Sequence, residues 1–345
     1  MTLTAAFERV ALPLARPFGI SRGTQTTAEN VVVRVSDGEH TGVGAAAPSS
    51  YYGETADTVE AVLPDLLAAC EAVDDPHNLD GIDARLDAVV GDNPAAKAAV
   101  RIACCDLAAK RLDVPLYRLF GLDPGETITS SYTIGIDETD VMREKAEEAV
   151  EAGYDVLKTK VGTDRDEEIL EAVREAAPDA RVRVDANAAW TPREAVETSE
   201  VLAAHDVEFL EQPVPPANPA DLRYVYERSA VPIAADESCV TLPDVPRVAD
   251  ACDVVNVKLM KCGGPRQAIE MIHAARAHGL EVMLGCMIET NAAIAAACHL
   301  APLLDYADLD GSLLLAEDPY EGVPLPEGRV DLSGVDAPGT GARAR

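Results

Sequence analysis

The stretch DVLKTKVGTDRDEEILEAVREAAPDARVRVDANA, residues 155–188, contains one complete unit of the fold. DVLKTKV and RVRVDANA are short runs rich in β-branched residues, as strands are, and DEEILEAVREAA between them is helical in composition. Outward from this unit the texture repeats. From about residue 128, ITSSYTIGI, DVLKTKV, RVRVDANA, VEFLEQPV, VPIAADES, VVNVKLMKCGG, EVMLGCMIET and YADLDG make eight strand-like runs separated by seven segments. That is the count of an α/β barrel of the (β/α)8 kind with its eighth helix weak or displaced, a modified TIM barrel (β/α)7β.

Polar residues mark the same place in each unit. Thr133, Lys160, Asp185, Glu211, Asp236, Lys258, Cys286 and Asp310 follow one another at intervals of 27, 25, 26, 25, 22, 28 and 24 residues. Each falls late in its strand, and in such barrels the C-terminal strand ends face the active site. The spacing therefore gathers groups from across the chain into one mouth.

Before the barrel, residues 3–12 and 28–36 (AENVVVRVS) read as strands. Residues 55–120 are helical, with breaks expected at Pro64, Pro76, Pro94 and Pro115. Strands followed by helices indicate an α+β unit. The expected organisation is an N-terminal α+β capping domain over 1–124, a barrel over 125–314, a segment over 315–333 returning to the capping domain, and a frayed tail over 334–345.

The formal net charge of −31, from 60 acidic against 29 basic residues, disfavours nucleic acid and anionic membranes as partners. With only seven lysines against twenty-two arginines, the surface reads as an acidic, halophile-type solubility adaptation. The eight cysteines show no C-x-x-C pair and read as reduced core residues. Glu8 and Arg9 interrupt any signal-peptide core, and the apolar stretch near 292–304 is too short to span a bilayer, so the expected compartment is the cytoplasm.

Asp185, Glu211 and Asp236 come from neighbouring strands. Three carboxylates aimed at one point repel each other unless a cation joins them, and oxygen-only ligation selects a hard ion, Mg²⁺, with Mn²⁺ as a substitute. Lys158 and Lys160 stand two apart on one strand and so share a face. Each ammonium is expected to lower its neighbour's pKa toward that of a usable base. Lys258 lies on strand 6, across the ring from strand 2. Besides these and Lys261, the chain has lysine only at 97, 110 and 145. Arginine cannot replace such a base, because it does not lose its proton. A cation between two opposed bases suits removal of an α-proton from a substrate carboxylate, with an enediolate intermediate and return of a proton to the other face. Structural ion pairing with the nearby acids remains an open reading for Lys158 and Lys261.

At K-T-K (158–160), D-A-N (185–187), E-Q-P (211–213), A-D-E-S (235–238) and N-V-K-L-M-K-C-G-G (256–264) the chain resembles the muconate-lactonizing-enzyme subgroup of the enolase superfamily. These motifs run through the whole barrel in the family's order. The resemblance implies Asp185, Glu211 and Asp236 as Mg²⁺ ligands and Lys160 and Lys258 as opposed acid/base groups. Lys158 would assist Lys160 or contact the substrate carboxylate. Strand 7, VMLGCMIET, has no histidine base. Asp308 and Asp310 in YADLDG resemble the D-x-D with which dipeptide epimerases of this subgroup hold a dipeptide's α-ammonium. GCM (285–287) and YYGE (51–54) also resemble that group. Thr133 and Cys286 are further candidates for substrate contact, and Arg22 for pairing with an acidic substrate side chain. The expected function is thus Mg²⁺-dependent dipeptide epimerisation by an enzyme that associates as a homo-oligomer. The alternatives are o-succinylbenzoate synthase, N-acylamino acid racemase or cycloisomerase activity, or a non-catalytic barrel that binds amino-acid ligands.

Overall fold

The structure is a computed structural model that describes residues 2–125 and 127–345. It opens with three antiparallel strands, β1 (Thr4–Ile20), β2 (Gly23–Ser36) and β3 (Thr41–Ala46), in the order β1-β2-β3. Val31, Val32, Val33 and Val35 of the central strand are all fully buried, which explains an unbroken apolar run where alternation would mark a half-exposed strand. Helices α1 (Ala56–Glu71) and α3 (Pro94–Arg111) pack on this sheet, and α2 (Leu79–Val89) packs against those two helices. Gly42 and Gly44 of β3 let α3 approach closely, since a Cβ at either would sit 2.0 Å or 2.2 Å from the Ala103 or Ala99 carbonyl oxygen. Pro64 does not break its helix as expected: it lies inside α1, where buried Leu63, Leu66 and Leu67 anchor the helix and outweigh one lost backbone hydrogen bond.

A short strand, β4 (Ile128–Thr129), precedes the first barrel strand, β5 (Tyr132–Ile134). The further barrel strands are β6 (Val156–Lys160), β7 (Arg181–Asp185), β8 (Val207–Glu211), β9 (Ile233–Ala235), β10 (Val254–Lys258), β11 (Glu281–Gly285) and β12 (Tyr306–Asp308). Strands β5 to β12 form one parallel eight-stranded sheet in chain order. The ring is drawn together between its first and last strands by the Ser130–Ala307 bridge and by Ser131 N donating to Ala307 O at 3.0 Å. Register places Lys160 beside Asp185 and Asp185 beside Glu211, so three candidate groups form one lateral row. On the opposite wall Lys258, Gly285 and Asp308 form another. Arg183, two residues before Asp185, is buried inside the barrel and lies 5.3 Å and 5.0 Å from the Phe209 and Tyr306 ring centroids.

After β12 the chain returns to the capping sheet, where Leu315 bridges Leu14. It then forms β13 (Tyr320–Glu321), β14 (Arg329–Val330) and β15 (Arg343–Ala344), with β14 on β4 and β15 on β13. The expected fraying of 334–345 is therefore corrected. Thr340 N donates to the buried Asp106 carboxylate at 2.6 Å, and Gly339 O accepts from Leu116 N at 2.7 Å. A small polar tail docks here because buried polar groups on α3 and its neighbours need its backbone as partner.

His299 belongs to this seam. Its Nδ1 accepts from Tyr117 N at 3.2 Å, and its Nε2 lies 3.1 Å from Thr340 O. Burial lowers its pKa from 6.5 to about 4. The unfolded chain therefore binds more protons between these values, so the stability this residue contributes is complete above pH 6.5 and is lost as pH falls toward 4. The full effect is about 3 kcal/mol. Urea midpoints measured across that range should fall less steeply in His299→Asn than in the parent chain; identical slopes would rule the histidine out.

All eight cysteines are free, and most are buried. No helix of the described residues is long and apolar enough to cross a membrane.

Candidate active site

The barrel mouth and the capping sheet enclose a cavity of about 430 Å³. Strand ends supply its floor. Asp185 and Glu211 close β7 and β8, and Asp236 follows β9 by one residue. All three are buried, and one carboxylate oxygen from each lies within 4.8 Å of the others. Burial and the Asp185 charge push the Glu211 carboxyl up to about 7, while Lys160 and Lys158 overcome the effect of burial on Asp185 and bring it down to about 2. An all-oxygen set with one member held so far from its ordinary charge state fits a hard divalent cation.

The loops after these strands hold the ligand set in shape. Gln212, with a left-handed φ of 36°, turns its side chain across to the next strand. Its Oε1 accepts from Asp236 N and Ser238 N at 3.0 Å each, and its Nε2 donates to Ser238 Oγ at 2.8 Å. E-Q-P and A-D-E-S are thus two halves of one interlock. Asn256 Nδ2 donates to Glu211 Oε1 at 2.7 Å, and Asn187 N to Asp185 Oδ1 at 2.8 Å. The sequence motifs contain these residues, but a role for each appears only with its partner.

The lysines divide by environment. Lys158 is 1% exposed, with its Nζ 2.7 Å from Glu211, 2.8 Å from Asp308 and 3.1 Å from Asp185. Burial would lower its pKa, but Asp308, Glu211 and Asp185 together raise it well above that of an ordinary lysine. The expectation that two adjacent ammoniums bring a lysine toward neutrality is corrected here, because carboxylates from three other strands lie within 3.1 Å of the Lys158 Nζ. Lys258 is likewise raised, as Asp236, at 2.9 Å, outweighs both burial and Lys158. Lys160 Nζ lies 2.6 Å from Asp185 Oδ2. Both Lys160 and Lys258 line the cavity, and three strands separate them in either direction round the ring.

Lys261 has no exposed surface. Its Nζ donates to Asp236 Oδ1 at 2.7 Å and to the carbonyls of Asp236, Asn256 and Cys239 at 2.6, 2.7 and 2.9 Å. The structural reading of this lysine is the correct one. Lys261→Met strands a buried carboxylate and three carbonyls, so it should cost about 3–5 kcal/mol of stability. A urea unfolding curve that does not shift would refute that role.

On the remaining wall Asp308 and Asp310 differ. Asp308 Oδ2 is taken by Lys158, and its Oδ1 accepts from Ser131 Oγ at 2.6 Å. Asp310 accepts from Thr133 N at 2.7 Å and has no cation within ion-pair distance among the described residues. Burial and the Asp308 charge push it up to about 7. Thr133 therefore holds Asp310 through both its backbone N–H and its hydroxyl. Cys286 lines the same wall as a neutral thiol, its pKa raised well above the ordinary by burial and by Asp310. Arg22, at the tip of the β1–β2 hairpin, donates to Glu237 Oε1 at 2.8 Å and to Asn187 O at 2.6 Å. Glu237 was not singled out by sequence; its only signal was a second carboxylate directly after a ligand residue.

Residues 3–121 match the mandelate racemase / muconate lactonizing enzyme N-terminal domain, and residues 141–345 the enolase C-terminal domain-like family. The L-Ala-D/L-Glu epimerase of Bacteroides thetaiotaomicron is 39% identical over 332 residues, covering 96% of this chain and 85% of that protein. Among solved structures, the dipeptide epimerase of Enterococcus faecalis V583 complexed with Mg and L-Leu-L-Tyr superposes with a TM-score of 0.94 at 35% identity, over 100% of both chains. The N-succinyl Arg/Lys racemase of Bacillus cereus superposes with a TM-score of 0.94 at 28% identity, over 100% of this chain and 96% of that one.

Proposed function

The chain belongs to the mandelate racemase / muconate lactonizing enzyme family within the enolase superfamily, and from that membership we propose that it epimerises a dipeptide at an α-carbon with Mg²⁺ as cofactor. The observation that carries this reading is one cavity lined by Lys160 and Lys258 from opposite strands, a three-carboxylate cluster on the arc between them, and the buried Asp310 left without a cation.

Asp185, Glu211 and Asp236 would hold the ion. When bound, Mg²⁺ supplies positive charge for the substrate carboxylate as the α-proton leaves, and it takes up carboxylate charge that otherwise keeps the lysines protonated. Lys160 and Lys258 exchange roles with direction. One Nζ removes the α-proton from its face, and the other delivers a proton to the opposite face, so the centre inverts through a planar enediolate. Lys158, enclosed by three carboxylates, stays cationic and contributes charge to the floor near the substrate carboxylate. Asp310, with Asp308 behind it, receives the α-ammonium. An N-acylated substrate brings no such cation, and the uncompensated Asp310 therefore weighs against N-acylamino acid racemisation as the main activity.

Incubating L,L-dipeptides with the protein and Mg²⁺ in D₂O should place deuterium at one α-carbon and produce the epimer. Absence of exchange across a broad dipeptide set would refute the proposal.

A further inference from the structure

We infer that the site selects a dipeptide whose first residue has a branched apolar side chain, and that Phe18, Ile288 and Leu314 are the specificity-determining residues. The inference rests on the proposed dipeptide epimerisation. With the carboxylate at the three-acid cluster, it is the second residue that inverts between Lys160 and Lys258. The first residue carries the α-ammonium that Asp310 receives, and its side chain leaves from the carbon bonded to that nitrogen. The surroundings of Asp310 therefore decide which first side chains fit.

Those surroundings are apolar. A turn closed by Leu313 N donating to Asp310 O at 2.8 Å leads directly to Leu314, whose carbonyl accepts from Ala15 N of β1 at 3.0 Å. Leu314 packs there with Phe18 of β1 and with Ile288 of the loop after β11, in one apolar cluster that also holds the buried Leu12 and Ala28. Phe18, Ile288 and Leu314 all line the cavity. On the other side of Asp310, Gly311 lies so close to the same loop that a Cβ would sit 2.1 Å from Met287 O and 3.1 Å from Cys286 Sγ. The buried polar side chains nearby are already paired. Asn30 Nδ2 donates to Ile288 O at 3.2 Å and its Oδ1 accepts from Thr290 N at 3.0 Å, while Thr133 holds Asp310. Gln25, opposite Phe18 in the β1–β2 hairpin, is exposed. A polar first side chain would leave water for a wall that offers it no buried partner, whereas an apolar one removes its own surface and the wall's from water. Behind this wall lies a second cavity of about 110 Å³, which shares Phe18, Thr133 and Leu314 with the first. Phe18 and Leu314 thus have space to yield to a branched side chain, at less cost than in a close-packed wall.

L-Leu-L-Ala and L-Asn-L-Ala form the deciding pair, each assayed with Mg²⁺ for kcat/KM of epimerisation. Asparagine has nearly the shape of leucine with an amide in place of the two methyl groups, and the inverted residue is the same in both. The parent chain should favour the leucine dipeptide about tenfold or more. Leu314→Asn should narrow that ratio about fivefold, and Phe18→Ser provides the same reading should the first variant fail to fold. Equal or better use of L-Asn-L-Ala by the parent chain overturns the inference alone, as does turnover confined to dipeptides with a polar first residue, or an unchanged ratio in a folded Leu314→Asn or Phe18→Ser. No turnover of either dipeptide, or of any other, overturns the proposed function and this inference with it.

Discussion

Lys160→Met should lower epimerisation by about 10³-fold or more, while one epimer keeps its α-proton exchange with solvent. Methionine preserves the length and packing of the side chain but cannot carry a proton. Asp185 keeps Lys158 at 3.1 Å and Asn187 N at 2.8 Å, so the carboxylate cluster loses one partner of several. A two-base site has a distinctive signature when one base is removed. The surviving amine still reaches the proton on its own face, so the epimer presenting that proton continues to exchange deuterium without inverting. Lys258→Met should show the mirror image, with the other epimer retained. Following both epimers of one dipeptide by mass spectrometry in D₂O reads this directly. Loss of exchange from the same epimer in both variants would mean that the two amines do not serve opposite faces.

Asp310→Asn should reduce kcat/KM for a dipeptide on the order of 10²-fold, the loss expected of a charge-assisted hydrogen bond to an ammonium. Its effect on an N-acylated amino acid should be small or favourable, because no ammonium is then lost and a buried charge is relieved. Asp308 is a poorer probe of the same contact. It holds Lys158 at 2.8 Å and Ser131 Oγ at 2.6 Å, so its replacement would loosen the floor before it altered recognition. The ratio of activities on a dipeptide and its N-acyl counterpart is the quantity to measure in Asp310→Asn. An equal fall for both would show that Asp310 shapes the wall without binding the ammonium.

The barrel and its mouth were legible because each βα unit leaves a local record. A strand followed by a helix has a length set by its own hydrogen bonds, so Lys160, Asp185, Glu211, Asp236 and Lys258 recur at nearly constant spacing. Residue type then names the chemistry, since three acids at matched positions need a cation and a chain with seven lysines places four of them at two strand ends. Partner choice leaves no such record. Lys158 meets Asp308 150 residues away, Arg22 meets Glu237 across 215, and Thr340 meets Asp106 across 234. The direction of the Lys158 pKa shift followed from those partners, and so did the difference between Asp308 and Asp310. Spacing along the chain thus determined which groups reach the mouth, because strand and helix lengths are local quantities. Ring closure and the docking of the capping sheet decided which charges cancel and which remain available, because electrostatic energy depends on separations in space that only the folded chain defines.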